Sequence, residues 1–318
     1  MPRVTVRFAN QDQVTFDADP GLTILESGEQ AAVPLAYDCR SGICHTCAGR
    51  SETGEDVLLC SLRAERDMII QLPYDRAQVL RPVFRRAKIT ALDRLSPGVW
   101  HLRCRLQFPL AFLPGQYVRL APPNGQEQRC FSMANAPGAT AFEFYIRALP
   151  SGVVSDYLGQ RAKPGDILSL RGPSGAFYLR ERRSPKLFIA GGTGLAPILS
   201  MLSALREKPD GCSAYLAYGV TQAEDAVALD LLRGMAADLG LKAAYTAVKP
   251  GADWRGIVGV ATAALDALDI PEPPETVDVY ICGPEPMVIA ARAWLSSRGF
   301  AAERIFNRSE ERRGGKEG

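Results

Sequence analysis

Four cysteines near the amino terminus constrain this chain more than any other feature. Cys39, Cys44, Cys47 and Cys60 follow the spacing C-x4-C-x2-C-x12-C, so four of the eight cysteines fall within 22 residues. This spacing is typical of thiolates that hold a [2Fe–2S] cluster, with two ligands on each iron. A zinc site, or four buried thiols, is the alternative, but zinc sites favour paired C-x2-C units. The sequence therefore predicts an iron–sulfur cluster held by these four cysteines.

The segment between Cys47 and Cys60 is short for such a cluster, with 12 residues between the two ligands. At ~3.3 Å per residue it can still span the distance between neighbouring ligands. We expect residues 51–56 to form a tight turn there. His45 is not predicted to be a ligand, because a Rieske-type cluster needs two histidines and His101 falls in a different predicted domain.

Composition narrows the class of protein. The chain has 318 residues, enough for two or three domains with separate cores. Its formal net charge of +2 argues against a nucleic-acid partner. No stretch approaches the ~20 uninterrupted apolar residues that a membrane span needs. Clustered cysteines, rather than a disulfide framework, favour a reducing, cytoplasmic setting.

The first 75 residues predict a small sheet with one helix. Residues 3–8 and 13–17 alternate apolar and polar side chains as a β-hairpin does. Thr23, with Glu26 three residues later, is a helix start signal. A strand at 68–72 closes the sheet. We predict a ferredoxin-type domain at residues 1–75. A linker follows at 76–84, within a segment of little periodicity that has Pro73 and Pro82 at its ends.

Residues 85–183 change to short strands punctuated by glycine and proline, which favours an antiparallel barrel. The expected strands are 87–92, 99–106, 116–120, 142–148 and 167–171. Gly152 opens a helix, and the free N–H groups of a helix start can hold a pyrophosphate. An ordinary barrel strand and an ordinary helix cap explain these features equally well.

Residues 184–307 alternate apolar strands with helices, which predicts a parallel α/β domain. The strand at 186–190 runs into a glycine turn and a helix, the arrangement that cradles phosphates. Two further strands end at Gly219 and Gly283. The carboxyl ends of parallel strands share one edge, so we expect these glycines to meet at one crevice. The turn is not G-x-G-x-x-G, and such strand ends also occur without a ligand.

Taken together and in order, the motifs resemble the fused reductase components of bacterial ring-hydroxylating dioxygenases, such as naphthalene or benzoate dioxygenase reductase. The resemblance covers roughly residues 1–307. It implies a multidomain α+β and α/β fold: a β-grasp [2Fe–2S] ferredoxin domain, an antiparallel β-barrel that binds FAD, and a parallel α/β domain that binds NAD. A flavin joins the two outer domains, because it takes two electrons together and releases them singly.

The resemblance also implies site residues. In the segment similar to R-x-Y-S-M-A, Arg129 would hold a flavin phosphate, Phe131 would stack near the isoalloxazine, and Ser132 would approach N5. The remaining flavin-binding residues implied are Tyr145, Ile146, Arg147, Gly152, Val153, Val154 and Ser155. The nucleotide-binding residues predicted are Gly191, Gly192, Thr193, Gly194, Leu195, Ala196, Pro197, Gly219, Cys282, Gly283, Pro284 and Met287. Ser132 and Cys282 are the two placed at the reacting atoms.

Residues 308–318 depart from the family pattern. Family members usually finish with an acidic residue and an aromatic near the flavin, whereas this segment is charged and reads as structureless. It resembles the translation of a sequencing adapter. We therefore exclude residues 308–318 from the functional predictions.

The predicted function is NADH-dependent electron transfer through FAD and the cluster to a terminal oxygenase or a separate ferredoxin, by a monomer. NADH is expected rather than NADPH, because residues 221–225 offer Glu224 and Asp225 and no arginine for a 2′-phosphate. Three alternatives stay open. They are the reductase of a di-iron monooxygenase, a flavin reductase or diaphorase without a cluster, and a non-catalytic module with structural thiols.

Overall fold

The computed structural model describes residues 1–37, 40, 42, 46–123, 125 and 127–309. The chain divides into two compact units. The first comprises Met1–Val83 together with Gly172–Phe177, and the second comprises Phe84–Arg171 and Tyr178–Gly318.

The first unit begins with the predicted hairpin, in which β1 (Arg3–Arg7) and β2 (Gln13–Asp17) pair antiparallel. Helix α1 (Ile24–Gln30) follows. The N–H of Glu26 donates to the Thr23 hydroxyl, and the Glu26 carboxylate accepts the N–H of Thr23. This reciprocal capping satisfies two N–H groups at the helix start. Both sequence predictions for this segment are confirmed.

Strands β3 (Ala48–Ser51), β4 (Asp56–Leu58) and β5 (Met68–Gln71) complete a five-stranded sheet in the order β2-β1-β5-β3-β4. At its centre β1 and β5 run parallel. The N–H of Gly54 donates to the carbonyl of Ser51 at 3.0 Å, so the tight turn predicted between β3 and β4 is present. Helix α1 packs its apolar side chains on the sheet, forming a core with Val4, Val6, Ile24, Leu25 and Ile70.

The second unit opens with an antiparallel sheet of six strands in the order β10-β7-β6-β11-β8-β9. These strands are β6 (Val83–Ser96), β7 (Val99–Leu106), β8 (Tyr117–Ala121), β9 (Arg129–Ser132), β10 (Ala141–Arg147) and β11 (Ile167–Ser174). Helix α2 (Val153–Gln160) lies between β10 and β11. Directly after β9, the N–H of Ala134 donates to the carbonyl of Glu143 at 2.9 Å. This bond joins the two outer edges, as a barrel requires.

Each barrel strand expected from the punctuation is present, and β6 and β11 are longer than expected. Gly172–Phe177, at the end of β11 and directly after it, group with the first unit, and Ala176 packs against that unit's core.

The rest of the second unit is a parallel sheet in the order β15-β14-β13-β12-β16-β17. Its strands are β12 (Lys186–Gly191), β13 (Ala214–Gln222), β14 (Lys242–Lys249), β15 (Ile257–Val258), β16 (Asp278–Gly283) and β17 (Ile305–Ser309). Its helices are α3 (Leu195–Glu207), α4 (Leu229–Leu239), α5 (Ala261–Asp266) and α6 (Glu285–Ser296). The strand order reverses at β12, so a switch point lies between β12 and β16, where such sheets bind ligands.

Strand β17 continues through Arg308 and Ser309, which pair with Cys282 and Gly283 of β16. These two residues therefore differ from the structureless tail predicted from residue 308, because the free edge of β16 offers them ladder hydrogen bonds. The rest of the tail lies outside the described residues, and its non-native origin stays a prediction. Within the described part of the chain, no helix combines the length and hydropathy of a membrane span.

Candidate functional site

Three strand ends meet at one edge of the parallel sheet, as the sequence predicted. Gly191 at the end of β12 lies in register with Gly219 of β13, and Ala190 lies in register with Cys282 of β16. We call Gly191, Gly194, Gly219 and Gly283 the glycine edge. It coincides with the switch point of the sheet, where the carboxyl ends of the strands leave a crevice.

The glycine edge is required by backbone packing. A Cβ on Gly194 would overlap the carbonyl oxygen of Cys282 and lie 2.7 Å from its carbonyl carbon. Cβ atoms on Gly191 and Gly283 would each lie 2.6 Å from the side chain of Met287. The turn after β12 thus lies directly on the end of β16. Because these glycines have no side chains, they leave the N-terminus of α3 uncovered, which fits an anionic pyrophosphate.

Most other predicted residues of this turn contribute backbone rather than side chains. Thr193 is buried, and Leu195, Ala196 and Pro197 are buried in the first turn of α3. Cys282 is fully buried, and Pro284 caps α6. Their side chains pack the start of the helices, so a nucleotide at this edge would meet mainly N–H groups.

Charged and polar side chains define the other half of the site, on β9 and β10. We call Arg129, Ser132, Tyr145 and Arg147 the arginine face. The Arg129 guanidinium donates to Glu127 Oε2 at 2.8 Å and to the carbonyl of Gln128 at 3.0 Å. Because Arg129 is about half exposed, its guanidinium can exchange these neighbours for a phosphate. A planar guanidinium suits bidentate phosphate binding.

Arg147 stands where the two halves meet. A Cβ on Gly192 of the nucleotide turn would lie 3.1 Å from Arg147 Nη2. Gly192 has a φ of +55°, a conformation that glycine adopts without steric cost. Arg147 therefore places a positive charge beside the turn that follows β12.

Tyr145 is held by its neighbours on β7 and β10. Its ring stacks on His101 with 4.7 Å between centroids, and burial raises the pKa of Tyr145 to about 12. His101 Nε2 lies 3.2 Å from Glu143 Oε2, and this hydrogen bond holds the pKa of Glu143 below its ordinary value. Ile146 points into the barrel core. It can offer a ligand only its main chain, as the predicted role requires.

Ser132 is nearly buried, and its hydroxyl accepts a hydrogen bond from Arg308 Nη1 at 3.2 Å. The Arg308 guanidinium also lies over the ring of Tyr117, 4.4 Å from its centroid. Phe131 is partly exposed on the same strand. The predicted residues of β9 are thus brought together, with Arg308 as a contact that the sequence analysis had set aside.

The predicted pyrophosphate turn opens α2. Gly152 is its N-cap, and the Ser155 hydroxyl accepts the N–H of Leu149 at 2.9 Å. Val154 is buried, whereas Val153 is partly exposed. The turn therefore presents the helix start of Gly152 and Val153, a geometry that fits an anion.

In the first unit, two of the four predicted cluster ligands are described. Cys47 and Cys60 are both buried, and the N–H of Leu59 donates to the carbonyl of Cys47 at 3.1 Å. The N–H of Gly42 donates to Cys60 Sγ at 3.3 Å. A thiolate that receives N–H donors from its loop fits a cluster ligand. Cys39, Cys44 and His45 lie outside the described residues.

Some contacts were missed by sequence reasoning. The hydroxyl of Ser96 donates to Asp225 Oδ1 at 2.5 Å, and the hydroxyl of Ser200 donates to the carbonyl of Asn135 at 2.7 Å. Both join the barrel to the parallel sheet. Their partners are far apart in sequence, so no local pattern indicates them. The hydroxyl of Ser61, 3.6 Å from Cys60 Sγ, was also missed.

Family models match all three segments of the chain. The 2Fe-2S iron-sulfur cluster binding domain matches residues 8–69, the oxidoreductase FAD-binding domain matches 86–178, and the oxidoreductase NAD-binding domain matches 188–293. The order of the three models agrees with the order of the sites described above.

Known proteins align over nearly the whole chain. The electron transfer component of toluate 1,2-dioxygenase from Pseudomonas putida is 34% identical, over 93% of this chain and 95% of its own length. The xylene/toluene monooxygenase electron transfer component from Pseudomonas putida is 29% identical, over 96% and 93%. The solved structure of the ferredoxin reductase in carbazole 1,9a-dioxygenase superposes with a TM-score of 0.70 at 25% identity, covering 96% of this chain and 98% of its own.

The chain belongs to the family of electron-transfer reductase components of ring-hydroxylating dioxygenases, in which a ferredoxin domain is fused to FAD- and NAD-binding domains. The predicted fold class is confirmed, and so are the predicted cofactors: a [2Fe–2S] cluster, FAD and NADH. The chain is thus an NADH-dependent flavin and iron–sulfur oxidoreductase.

Proposed function

We propose that this chain takes hydride from NADH and delivers single electrons to the terminal oxygenase, or to a separate ferredoxin, of an aromatic-ring dioxygenase. The observation that supports this proposal is that the glycine edge and the arginine face lie next to each other, with Arg147 beside Gly192. Bound FAD supplies the conversion of a two-electron hydride into single electrons, which the [2Fe–2S] cluster carries one at a time.

The residues divide this task by chemistry. Arg129 and the start of α2 would bind the phosphates of FAD, and Ser132, with Phe131 beside it, would contact the flavin ring. The main chain of Tyr145 and Ile146 would align the ring. The glycine edge and the start of α3 would bind the NADH pyrophosphate, and Cys282 with Pro284 would contact the nicotinamide. Because these groups position rather than titrate, the chemistry needs no side-chain acid or base.

NADH is the proposed donor. The turn after β13 carries Glu224, which is exposed, and no arginine. A carboxylate can accept a ribose hydroxyl but repels a 2′-phosphate. The ratio of kcat/KM for NADH and NADPH tests this directly, and a preference for NADPH would contradict it.

A second acceptor deserves a test, because one relative serves xylene/toluene monooxygenase by name. Purified oxygenase components of each kind, a ring-hydroxylating dioxygenase and a di-iron monooxygenase, would be mixed with the reductase and NADH. Coupled product formation with the dioxygenase alone supports the proposal. If product forms only with the monooxygenase, the proposed acceptor is wrong, whereas the proposed redox chemistry still stands.

The first experiment is anaerobic purification followed by a visible spectrum, iron analysis and flavin analysis, before and after NADH. We expect about two irons per flavin, and bleaching of both flavin and cluster bands. Cys47→Ala is the matched variant: its flavin should still be bleached by NADH while electron delivery to the acceptor is lost. Delivery that survives without iron would favour a diaphorase.

The same proposal takes the chain as a cytoplasmic monomer, with its cysteines reduced. Light scattering on the purified holoprotein tests whether it is a monomer. A dimer would contradict the proposed oligomeric state and leave the proposed electron transfer unaffected.

A further inference from the structure

Two acidic residues lie in the turn that follows β13, and their side chains are in different environments. Glu224 is exposed, whereas Asp225 is partly buried. Asp225 Oδ1 accepts the hydroxyl hydrogen of Ser96 at 2.5 Å. Ser96 is the last residue of β6 and is only 7% exposed. Asp225 is thus bonded to the barrel, although its position in the turn is that of a nucleotide-binding residue.

The barrel turn that receives Asp225 is shaped around the carboxylate. The N–H of Gly98 donates to the Ser96 hydroxyl at 3.1 Å, which orients the hydroxyl hydrogen toward Asp225. A Cβ on Gly98 would lie 2.5 Å from Asp225 Oδ1. Arg94 donates to the carbonyls of Ser96 and Pro97, at 3.3 and 2.5 Å, and fixes the turn. This turn therefore admits the carboxylate only because residue 98 is glycine.

The same turn is connected to the arginine face. The carbonyl of Gly98 accepts the N–H of Ala148 at 2.8 Å, and Ala148 directly follows Arg147. A continuous set of hydrogen bonds therefore runs from Asp225, through Ser96 and Gly98, to the end of β10. The segment that would border the nucleotide is tied to the strand that would border the flavin.

We propose that Asp225 is a positioning residue that clamps the nucleotide-binding sheet onto the flavin barrel through Ser96, and that Glu224 alone of this turn discriminates between NADH and NADPH. The inference rests on the proposed function and refines it, because it separates the two acidic residues by role. Of these two carboxylates, one sets the geometry of hydride transfer and the other sets the choice of nucleotide.

The physical reason is the sensitivity of hydride transfer to placement. In the proposed function the parallel sheet would hold NADH and the barrel would hold FAD, and a shift of about 1 Å between reacting atoms can cost about 100-fold in rate. The hydrogen bond from Ser200 to Asn135 still joins the parallel α/β domain to the barrel when the clamp is removed. Loss of the clamp should therefore misalign the site without separating it.

The experiment measures flavin reduction by NADH in stopped flow, on holoprotein, for Asp225→Ala, Ser96→Ala and Ser96→Thr. Alanine is used at residue 225 because the amide oxygen of asparagine would still accept the Ser96 hydroxyl hydrogen. We expect Asp225→Ala and Ser96→Ala to slow reduction by about tenfold or more, with KM for NADH nearly unchanged. Ser96→Thr keeps the hydroxyl and should restore most of the rate. The ratio of kcat/KM for NADPH and NADH should stay constant in all three, and should rise in Glu224→Gln.

Asp230→Ala is the matched control, because Asp230 is an exposed carboxylate of the same domain, paired only with Arg233 among the described contacts. It should change neither rate nor nucleotide preference. Unchanged reduction in Asp225→Ala would overturn the clamp. A rise in NADPH use in that variant would also overturn it, since Asp225 would then face the nucleotide.

A thermal-unfolding cycle over Ser96→Ala, Asp225→Ala and the double variant tests the contact without any nucleotide. The clamp requires non-additive effects, because the two residues share one bond; additive effects contradict it. If the unmodified holoprotein is not reduced by NADH at all, the proposed function fails, and this cycle still decides whether the clamp exists.

Discussion

The glycine edge and the arginine face, which we propose to serve the same reaction, are built by opposite means. At the glycine edge, backbone of the turn after β12 lies against backbone of β16, and any side chain on Gly194 would overlap Cys282. On the arginine face, by contrast, Arg129 and Arg147 project from barrel strands and are partly or fully exposed. One half depends on the absence of side chains, and the other depends on their charge.

This difference predicts that substitutions in the two halves of the site impair the protein by different mechanisms. A change at the glycine edge acts through steric overlap in a packed interior, which neither salt nor pH relieves. A change on the arginine face removes charge-assisted hydrogen bonds, which salt weakens where they are exposed. Ionic strength and pH therefore separate the two halves experimentally.

Gly194→Ala should have the largest effect. The new methyl group would overlap the backbone carbonyl group of Cys282. Because a backbone carbonyl cannot rotate away as a side chain can, the turn must move. Overpacking of this kind costs about 1–3 kcal/mol, and displacement of the turn should reduce NADH-dependent flavin reduction by about 100-fold. Stopped-flow reduction and thermal unfolding measure the two effects.

The matched control for Gly194→Ala is Gly234→Ala. Gly234 lies inside α4, and its added Cβ would meet no atom within 4 Å. Replacing a helical glycine by alanine stabilises by about 0.5–1 kcal/mol, so this variant should be active and slightly more stable. Equal activity in both variants would remove the steric explanation of the glycine edge.

Arg129→Gln should have the next largest effect, on FAD retention. Hydrogen bonds to charged groups contribute about 1.5–3 kcal/mol, so FAD affinity should fall by roughly 10- to 150-fold while the apoprotein remains folded. The loss should grow smaller as salt is added, since salt weakens the unmodified site. Fluorescence titration of apoprotein with FAD measures it.

Arg103→Gln serves as the control on the same barrel, because Arg103 pairs with Asp93 on the surface. Its FAD affinity should match that of the unmodified chain. A salt-independent loss in Arg129→Gln would show that Arg129 supports the fold of β9 and does not bind phosphate.

Much of the glycine edge was predictable from sequence, whereas the contacts between layers were not. An apolar strand that runs into glycines is a local pattern, so β12, β13 and β16 and their meeting at one edge were all expected. Strand β14 was missed because alanines at 243, 244 and 247 weaken both its apolar run and its alternation. The bond from Ser96 to Asp225 joins residues 129 positions apart. Such a contact depends on tertiary packing and leaves no trace in either segment alone.

Removal of residues 308–318 should have an intermediate effect, because Arg308 links the two halves. Truncation after Asn307 deletes the last two residue pairs between β17 and β16, the bond from Arg308 to Ser132 and the guanidinium over Tyr117. The hydrogen bond and the partly buried cation–π contact contribute about 1–2 kcal/mol together. We expect a modest drop in thermal stability and retained FAD. Complete loss of FAD would show that residues 308–318 are essential to the site, against their predicted non-native origin.

Glu143→Gln should have the smallest effect, because Glu143 lies on β10 beside the arginine face and is not part of it. The hydrogen bond with His101 lowers the pKa of Glu143 from its ordinary value of 4.5. A lowered folded-state pKa stabilises the fold above the ordinary pKa, and that contribution disappears as pH falls through the lowered value. The pair is partly exposed, so its contribution is at most about 1 kcal/mol. Thermal unfolding from pH 7 to pH 3 should show the unmodified chain more stable near neutrality, and the difference from Glu143→Gln should vanish in acid.

The turn at residues 191–194 has no titratable side chain, so Gly194→Ala should show the same deficit at every pH. A pH-dependent deficit in Gly194→Ala would mean that the two halves are electrostatically coupled, and the separation drawn between them would not hold.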